Sequence, residues 1–159
     1  MYYSEYQSPL GPLLLLSDGV CLTGLYMDVR PSEAIRREEV PVLEQTRRWL
    51  DGYFRGDRPE TDLPLCPEGT AFQKCIWQLL REIPYGETIT YGALAAEAAR
   101  ILGKERMSAQ AVGNAVGRNP VSILVPCHRV VGAGGKLTGY AWGLERKAWL
   151  LAHEKGETK

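Results

Sequence analysis

Between Gly56 and Gly69 the sequence becomes rich in proline, glycine and acidic residues, and its patterning differs on the two sides of that stretch. Such a run disfavours both helix and strand, so it is the best candidate for a linker between domains. A chain of 159 residues has room for one full-sized domain or two small ones. The expectation is two: an α/β domain over residues 1–64 and a mainly helical domain over residues 65–159. In the first, residues 2–7, 12–17 and 20–27 read as three strands of a small antiparallel sheet. They are separated by Ser8-Pro9-Leu10-Gly11 and by Asp18-Gly19, a two-residue hairpin signal. Val42, Thr46, Trp49, Leu50 and Tyr53 recur at helical spacing and predict one helix with a single buried face.

Beyond the linker, Thr70-Ala71-Phe72-Gln73 has the spacing of a capping box. Phe72, Ile76, Leu79, Leu80 and Ile83 then mark a core face, and Pro84-Tyr85-Gly86 stops the helix. An alanine-rich helix is expected over residues 91–102, ended by Gly103, and another from its cap Ser108 to about Gly117. In that last helix Ala109, Val112 and Val116 share one side, while Gln110, Asn114 and Arg118 share another, four residues apart. Gly113 and Gly117 each cost roughly 1 kcal/mol of helix propensity, a cost that makes sense if another backbone approaches closely. Two short helices, the second presenting polar side chains among small ones, suggest a helix-turn-helix that reads DNA. A tight helix–helix contact in the core is the plainer alternative.

Composition narrows the setting. No apolar run is long enough to span a bilayer, and Met1-Tyr2-Tyr3-Ser4-Glu5 lacks a secretion-signal pattern, so the cytoplasm is the expected location. The cysteines Cys21, Cys66, Cys75 and Cys127 form no CxxC pair, and the only histidines are His128 and His153. Neither a metal site nor, in a reducing compartment, a disulfide is expected. Formal net charge is zero. Residues 95–150 nevertheless hold Arg100, Lys104, Arg106, Arg118, Arg129, Lys136, Arg146 and Lys147 against Glu97, Glu105 and Glu145. That excess is compatible with phosphate contact, and equally with a solvated helical surface.

The chemistry concentrates at Asn119-Pro120, an apolar run read as a strand, and Pro126-Cys127-His128-Arg129-Val130. A cysteine outside a disulfide is usually a small core residue. To act as a nucleophile it must become a thiolate, which requires a base, and the base requires an orienting group. Two consecutive extended residues point to opposite sides, so direct contact between Cys127 and His128 would need a turn or a bridging water. Glu154, beside His153 in the terminal helix, is a carboxylate suited to orient an imidazole.

Pro-Cys-His-Arg-Val, reached from Asn-Pro through apolar residues, resembles the active-site signature of the methylated-DNA–protein-cysteine methyltransferases, or O6-alkylguanine-DNA alkyltransferases. The resemblance extends to Ile83-Pro84-Tyr85-Gly86-Glu87-Thr88, Thr90-Tyr91-Gly92, Ala111-Val112-Gly113, Arg118-Asn119-Pro120, Thr138-Gly139-Tyr140 and the stretch from Arg146-Lys147 to His153-Glu154. It covers about residues 68–155 and is highly specific; the first sixty residues resemble the family only in outline. The resemblance implies a ribonuclease-H-like first domain and a winged-helix-like second one. It implies repair by direct reversal, with one irreversible transfer of an alkyl group from O6 of guanine, and also O4 of methylated thymine, to Cys127. The implied partner is double-stranded DNA with the lesion flipped out; the implied protein is a monomer without cofactor.

Residue by residue, the resemblance makes Cys127 the acceptor, His128 its base through a water, and Glu154 the group that orients His128. Asn119 holds the hinge, and Tyr91 rotates the nucleotide and hydrogen-bonds the base. Gln110, Ala111, Gly113, Asn114 and Arg118 face DNA. Val130, Tyr140, Ala141 and Trp142 line the base pocket. The chain departs from the family pattern at Gln110, where many members carry an arginine that fills the gap left by the flipped base, at Trp142, where some carry glycine, and in the long connection over residues 100–107. Three other readings fit parts of the pattern: a non-catalytic lesion-binding or helix-turn-helix protein, a transcription regulator, and a cysteine hydrolase. A lesion-binding protein would replace Cys127, a transcription regulator would not explain Pro126-Cys127-His128, and a hydrolase would turn over repeatedly where an alkyltransferase acts once.

Overall fold

A computed structural model describes residues 1–157; Thr158 and Lys159, the last two positions of the expected second domain, lie outside the described residues. The chain separates into two compact units, residues 1–68 with 120–122, and residues 69–119 with the segment from 123 onward.

The first unit is a four-stranded sheet with one helix. Strands β1 (Tyr2–Ser8), β2 (Gly11–Ser17) and β3 (Leu22–Met27) form the expected antiparallel meander, followed by β4 (Arg36–Arg37) and helix α1 (Pro41–Arg55). The sheet order is β3-β2-β1-β4, and β4 runs parallel to β1, so the sheet is mixed rather than wholly antiparallel. A two-residue arginine strand has no apolar alternation to betray it. Leu13, Leu15, Leu22, Leu25 and Met27 are fully buried, and α1 lays Val42, Leu43, Thr46, Leu50 and Tyr53 into the same core. Pro41 pre-sets the first turn of α1 and Gly56, at φ 90°, ends it in the left-handed conformation.

Two further expectations for this unit are corrected. The turn after β2 is not a two-residue hairpin. The register shifts by a bulge at Leu16/Ser17, Ser17 pairs with Leu22, and the Asp18 carboxylate accepts from the backbone N–H groups of Val20 and Cys21. That side-chain-closed turn competes successfully with the tighter one. Second, Cys21 and Cys66 are joined in a disulfide. The expected linker is tied to the sheet: Leu22 N–H donates to the Pro64 carbonyl and Cys66 N–H to the Leu22 carbonyl, which sets the two cysteines side by side across a sequence separation of 45.

The second unit is built on α2 (Ala71–Arg81), α3 (Tyr91–Leu102), α4 (Ala109–Gly117) and α5 (Leu144–Glu154), with short strands β5 (Ile89–Thr90) and β6 (Val130–Val131). Each of the first three helices starts where a side-chain cap was expected or available. Thr70 accepts from Gln73 N–H in a complete capping box, Thr90 from Ala93 N–H, and Ser108 from Ala111 N–H; each such cap is worth about 1 kcal/mol. Gly103 closes α3 at φ 69°. Trp77 ties α2 to α4 by donating from Nε1 to the Ala115 carbonyl at 2.8 Å. Among the described residues no helix is long and apolar enough to cross a membrane.

Candidate active site

The parallel pairing of β5 with β6 explains why residues 91 and 127–129 converge. Tyr91 opens α3 directly after β5, and Cys127, His128 and Arg129 form a single 3₁₀ turn directly before β6. The approach to Cys127 is therefore not the strand expected from its apolar sequence. Val121 makes an isolated bridge with Leu25, Ile123 reverses the chain at φ 72°, and the 3₁₀ turn follows. A turn removes the objection that neighbouring side chains must point apart. Asn119 braces this path, its Nδ2 donating to the Val125 carbonyl at 2.8 Å.

All three side chains of the turn are buried, and the neighbouring carboxylate is Glu154 at the end of α5. His128 Nε2 lies 2.6 Å from Glu154 Oε2. Arg129 donates from Nε to Glu154 Oε1 at 2.7 Å, from Nη2 to Oε2 at 3.0 Å, and from Nη1 to the Ile83 carbonyl at 2.7 Å. Gly86 N–H also donates to Oε1, at 3.2 Å. Burial alone would push the Glu154 carboxyl up, but the hydrogen bonds from His128 and Arg129, with the Arg129 charge, hold it well below the usual carboxylate range. Burial pushes the His128 imidazole down, opposed by Glu154 and aided by Arg129 and Lys147. A neutral imidazole that donates from Nε2 presents its Nδ1 as an acceptor. Nδ1 is buried without a hydrogen-bond partner among the described residues.

On the other side, the Tyr91 hydroxyl donates to the Thr138 carbonyl at 3.2 Å. Lys147, fully buried on α5, donates to the carbonyls of Thr138 and Gly139, at 3.0 Å each, and sits 5.8 Å from the centroid of the Tyr91 ring. Burial, then the neighbouring Cys127, raises the Tyr91 phenol. Burial also lowers the Lys147 ammonium, with Cys127 acting in the opposite sense. The segment that Lys147 holds leads into Tyr140, Ala141 and Trp142. Of these, Tyr140 and Trp142 are half-buried and Ala141 is exposed, and the Trp142 carbonyl accepts from Arg146 at 3.4 Å. Val130 is buried in β6.

Helix α4 carries the remaining expected residues. Gln110, Asn114 and Arg118 are exposed. Ala111, Asn114 and Arg118 line an open groove of about 610 Å³ with Thr70, Phe72 and Gln73 of the α2 start. A methyl group on Gly113 would sit 3.7 Å from the Tyr91 ring, an ordinary contact, and one on Gly117 would meet nothing. Packing within the chain thus demands neither glycine. His153, stacked on Trp149 with centroids 4.9 Å apart, belongs to α5's own packing.

Sequence reasoning missed two members of this cluster. Composition groups Arg129 and Lys147 with cations suited to phosphate contact or to a solvated surface, and both are interior. The available signal for Arg129 was its place in an otherwise apolar run, Val130-Val131 following at once; for Lys147, its spacing one turn before Leu150 and Leu151 along α5.

This arrangement can deprotonate a buried thiol and offer a phenol hydroxyl next to it. Residues 1–67 match the model of the 6-O-methylguanine DNA methyltransferase ribonuclease-like domain, and residues 71–156 that of the corresponding DNA binding domain. The methylated-DNA–protein-cysteine methyltransferase of Methanosarcina acetivorans is 46% identical over 97% of this chain and 98% of its own. That of Haemophilus influenzae is 45% identical over 98% and 87%. The crystal structure of Mycobacterium tuberculosis OGT in complex with DNA superposes with a TM-score of 0.84 at 42% identity, covering 99% of this chain and 94% of the other. The chain belongs to the 6-O-methylguanine DNA methyltransferase family.

Proposed function

We propose that this protein repairs DNA by taking the alkyl group of O6-alkylguanine onto Cys127 in a single irreversible transfer. The observation that carries the reading is the buried Cys127-His128-Arg129 turn, with His128 held by Glu154 at 2.6 Å. His128 accepts the thiol proton at Nδ1 through a water. The thiolate attacks the alkyl carbon in line; the C–S bond forms as the C–O6 bond breaks, and the electron pair leaves on guanine. Tyr91, whose hydroxyl reaches the Thr138 carbonyl, gives its proton to the departing base. The thioether is stable, so each molecule acts once, and no methyl-donor cofactor enters the balance.

Cys127 is only 7% exposed, so the target reaches it as a nucleotide flipped out of double-stranded DNA. Helix α4 faces the duplex with Ala111, Gly113, Asn114 and Arg118, and the two glycines leave room for the nucleic-acid backbone. Gln110 fills the gap left by the base, without the charge of an arginine. Val130, Tyr140 and Ala141 line the pocket, and Asn119 fixes the path from α4 to Cys127. On this reading the protein acts as a cytoplasmic monomer, with residues 1–64 as its first domain and the remainder as the reacting one.

Incubation with methylated duplex DNA followed by mass spectrometry is expected to add one methyl group to the peptide containing Cys127, and none in Cys127→Ala. Repeated product release from unmodified protein would overturn the reading. Trp142 narrows the pocket, so Trp142→Gly is expected to raise the rate of inactivation by O6-benzylguanine by about tenfold, the scale of one relieved apolar clash. An unchanged rate would remove Trp142 from the pocket.

A further inference from the structure

Glu154 serves three partners at once, with two bonds from Arg129 and one each from His128 and Gly86. Oε2 faces His128 and one arm of Arg129; Oε1 faces the Arg129 Nε and Gly86 N–H. The guanidinium is itself fixed by the Ile83 carbonyl and by the Tyr85 ring, 5.6 Å from its centre. A buried histidine–carboxylate pair has two stable forms: a neutral imidazole donating one N–H, or an imidazolium ion paired with the carboxylate. Only the first can accept a proton, because in the second both ring nitrogens already carry one.

We propose that Arg129 is a positioning residue that keeps His128 a neutral base by matching the charge of Glu154 through a two-pronged contact. The inference rests on the proposed alkyl transfer. With Arg129 in place the carboxylate charge is already balanced, and a proton added to His128 would be an uncompensated buried cation. The charged groups facing His128 are Glu154 and Lys147 from α5 and Arg129 from its own turn. Two of these three are cations, which favours the neutral ring. Without Arg129, Glu154 would be left to pair with a protonated His128, and the base would be spent before substrate arrived.

The test is the pH dependence of single-turnover methyl transfer, followed on Cys127 by mass spectrometry, with the His128 imidazole titrated by NMR in the same proteins. The parent is expected to keep His128 neutral to below the ordinary imidazole value of about 6.5. In Arg129→Gln the acid limb of the rate and the His128 titration are expected to move up together by about one pH unit or more. The rate would then be about tenfold slower near pH 6 and within about threefold of the parent near pH 9. Arg129→Lys restores a cation without the fork and is expected to recover most of the midpoint. A rate that falls equally at all pH values with an unmoved His128 midpoint would make Arg129 merely structural. A parent His128 that titrates at or above about 6.5 would overturn the inference even if Arg129→Gln does not fold. Failure of the parent to methylate Cys127 at any pH would instead defeat the proposed function.

Discussion

Replacing Glu154 with alanine is expected to destabilise the second unit by about 3–5 kcal/mol, the scale for removing one partner of a buried ion pair. The carboxylate accepts from His128, Arg129 and Gly86, and it is 2% exposed. Its loss strands a buried guanidinium and leaves His128 Nε2 with nothing to donate to. Urea denaturation of the variant measures the change; a loss below about 1 kcal/mol would mean that water satisfies Arg129 at little cost. The same carboxyl sets the acid response. Its folded pKa lies below the unfolded one, so its stabilisation is fully present above the ordinary carboxylate range and is lost as pH falls through the folded value. Near pH 5 the parent is expected to retain this contribution in full, and Glu154→Gln is expected to flatten the acid-side slope of stability.

The second large effect concerns the first unit. The Cys21–Cys66 bond closes a segment with a sequence separation of 45, and the loop-entropy relation gives about 4 kcal/mol for a loop of that size. Reduction, or Cys66→Ser, is expected to lower the melting temperature by roughly 8–16 °C for a chain of this length. Thermal unfolding with and without reductant checks it, Cys66→Ser serving as the control that reductant no longer affects. Equal melting temperatures in oxidised and reduced parent would show that the Leu22 and Pro64 backbone bonds suffice to hold the segment.

The helices and their caps were legible because their signals are local. Thr70 and Gln73 sit three residues apart and bond to each other, and Gly103 ends α3 as its freedom at positive φ suggests. What escaped depends on distant partners. β4 exists because Arg36 and Arg37 fall beside Tyr2 and Tyr3, and the disulfide because Leu22 meets Leu65. The run before Cys127 misled for a related reason. Val121, Ile123, Leu124 and Val125 are all buried, as a strand's apolar residues would be, yet Ile123 turns the chain. In the site, the Cys127-His128 pair stood out by residue type. Its link to Glu154 came through family resemblance. Composition does not separate a buried cation from an exposed one, so Arg129 and Lys147 are marked only by their apolar neighbours in the sequence.

Those two cations also change how the molecule would meet a polyanion. The formal balance is 19 basic against 19 acidic residues. The buried charged side chains among the described residues, histidines aside, are Arg129, Lys147 and Glu154. Setting them apart leaves 17 basic against 18 acidic residues in the sequence, a net charge of −1. Such a surface exerts no net long-range pull on DNA. Encounter then depends on where Arg100, Lys104, Arg106 and Arg118 sit, all of them exposed, and their reach ends within a screening length of about 10 Å at about 0.1 M salt. The search for a lesion is thus expected to rely on short-range capture, with association rates close to those of neutral partners rather than of electrostatically steered ones.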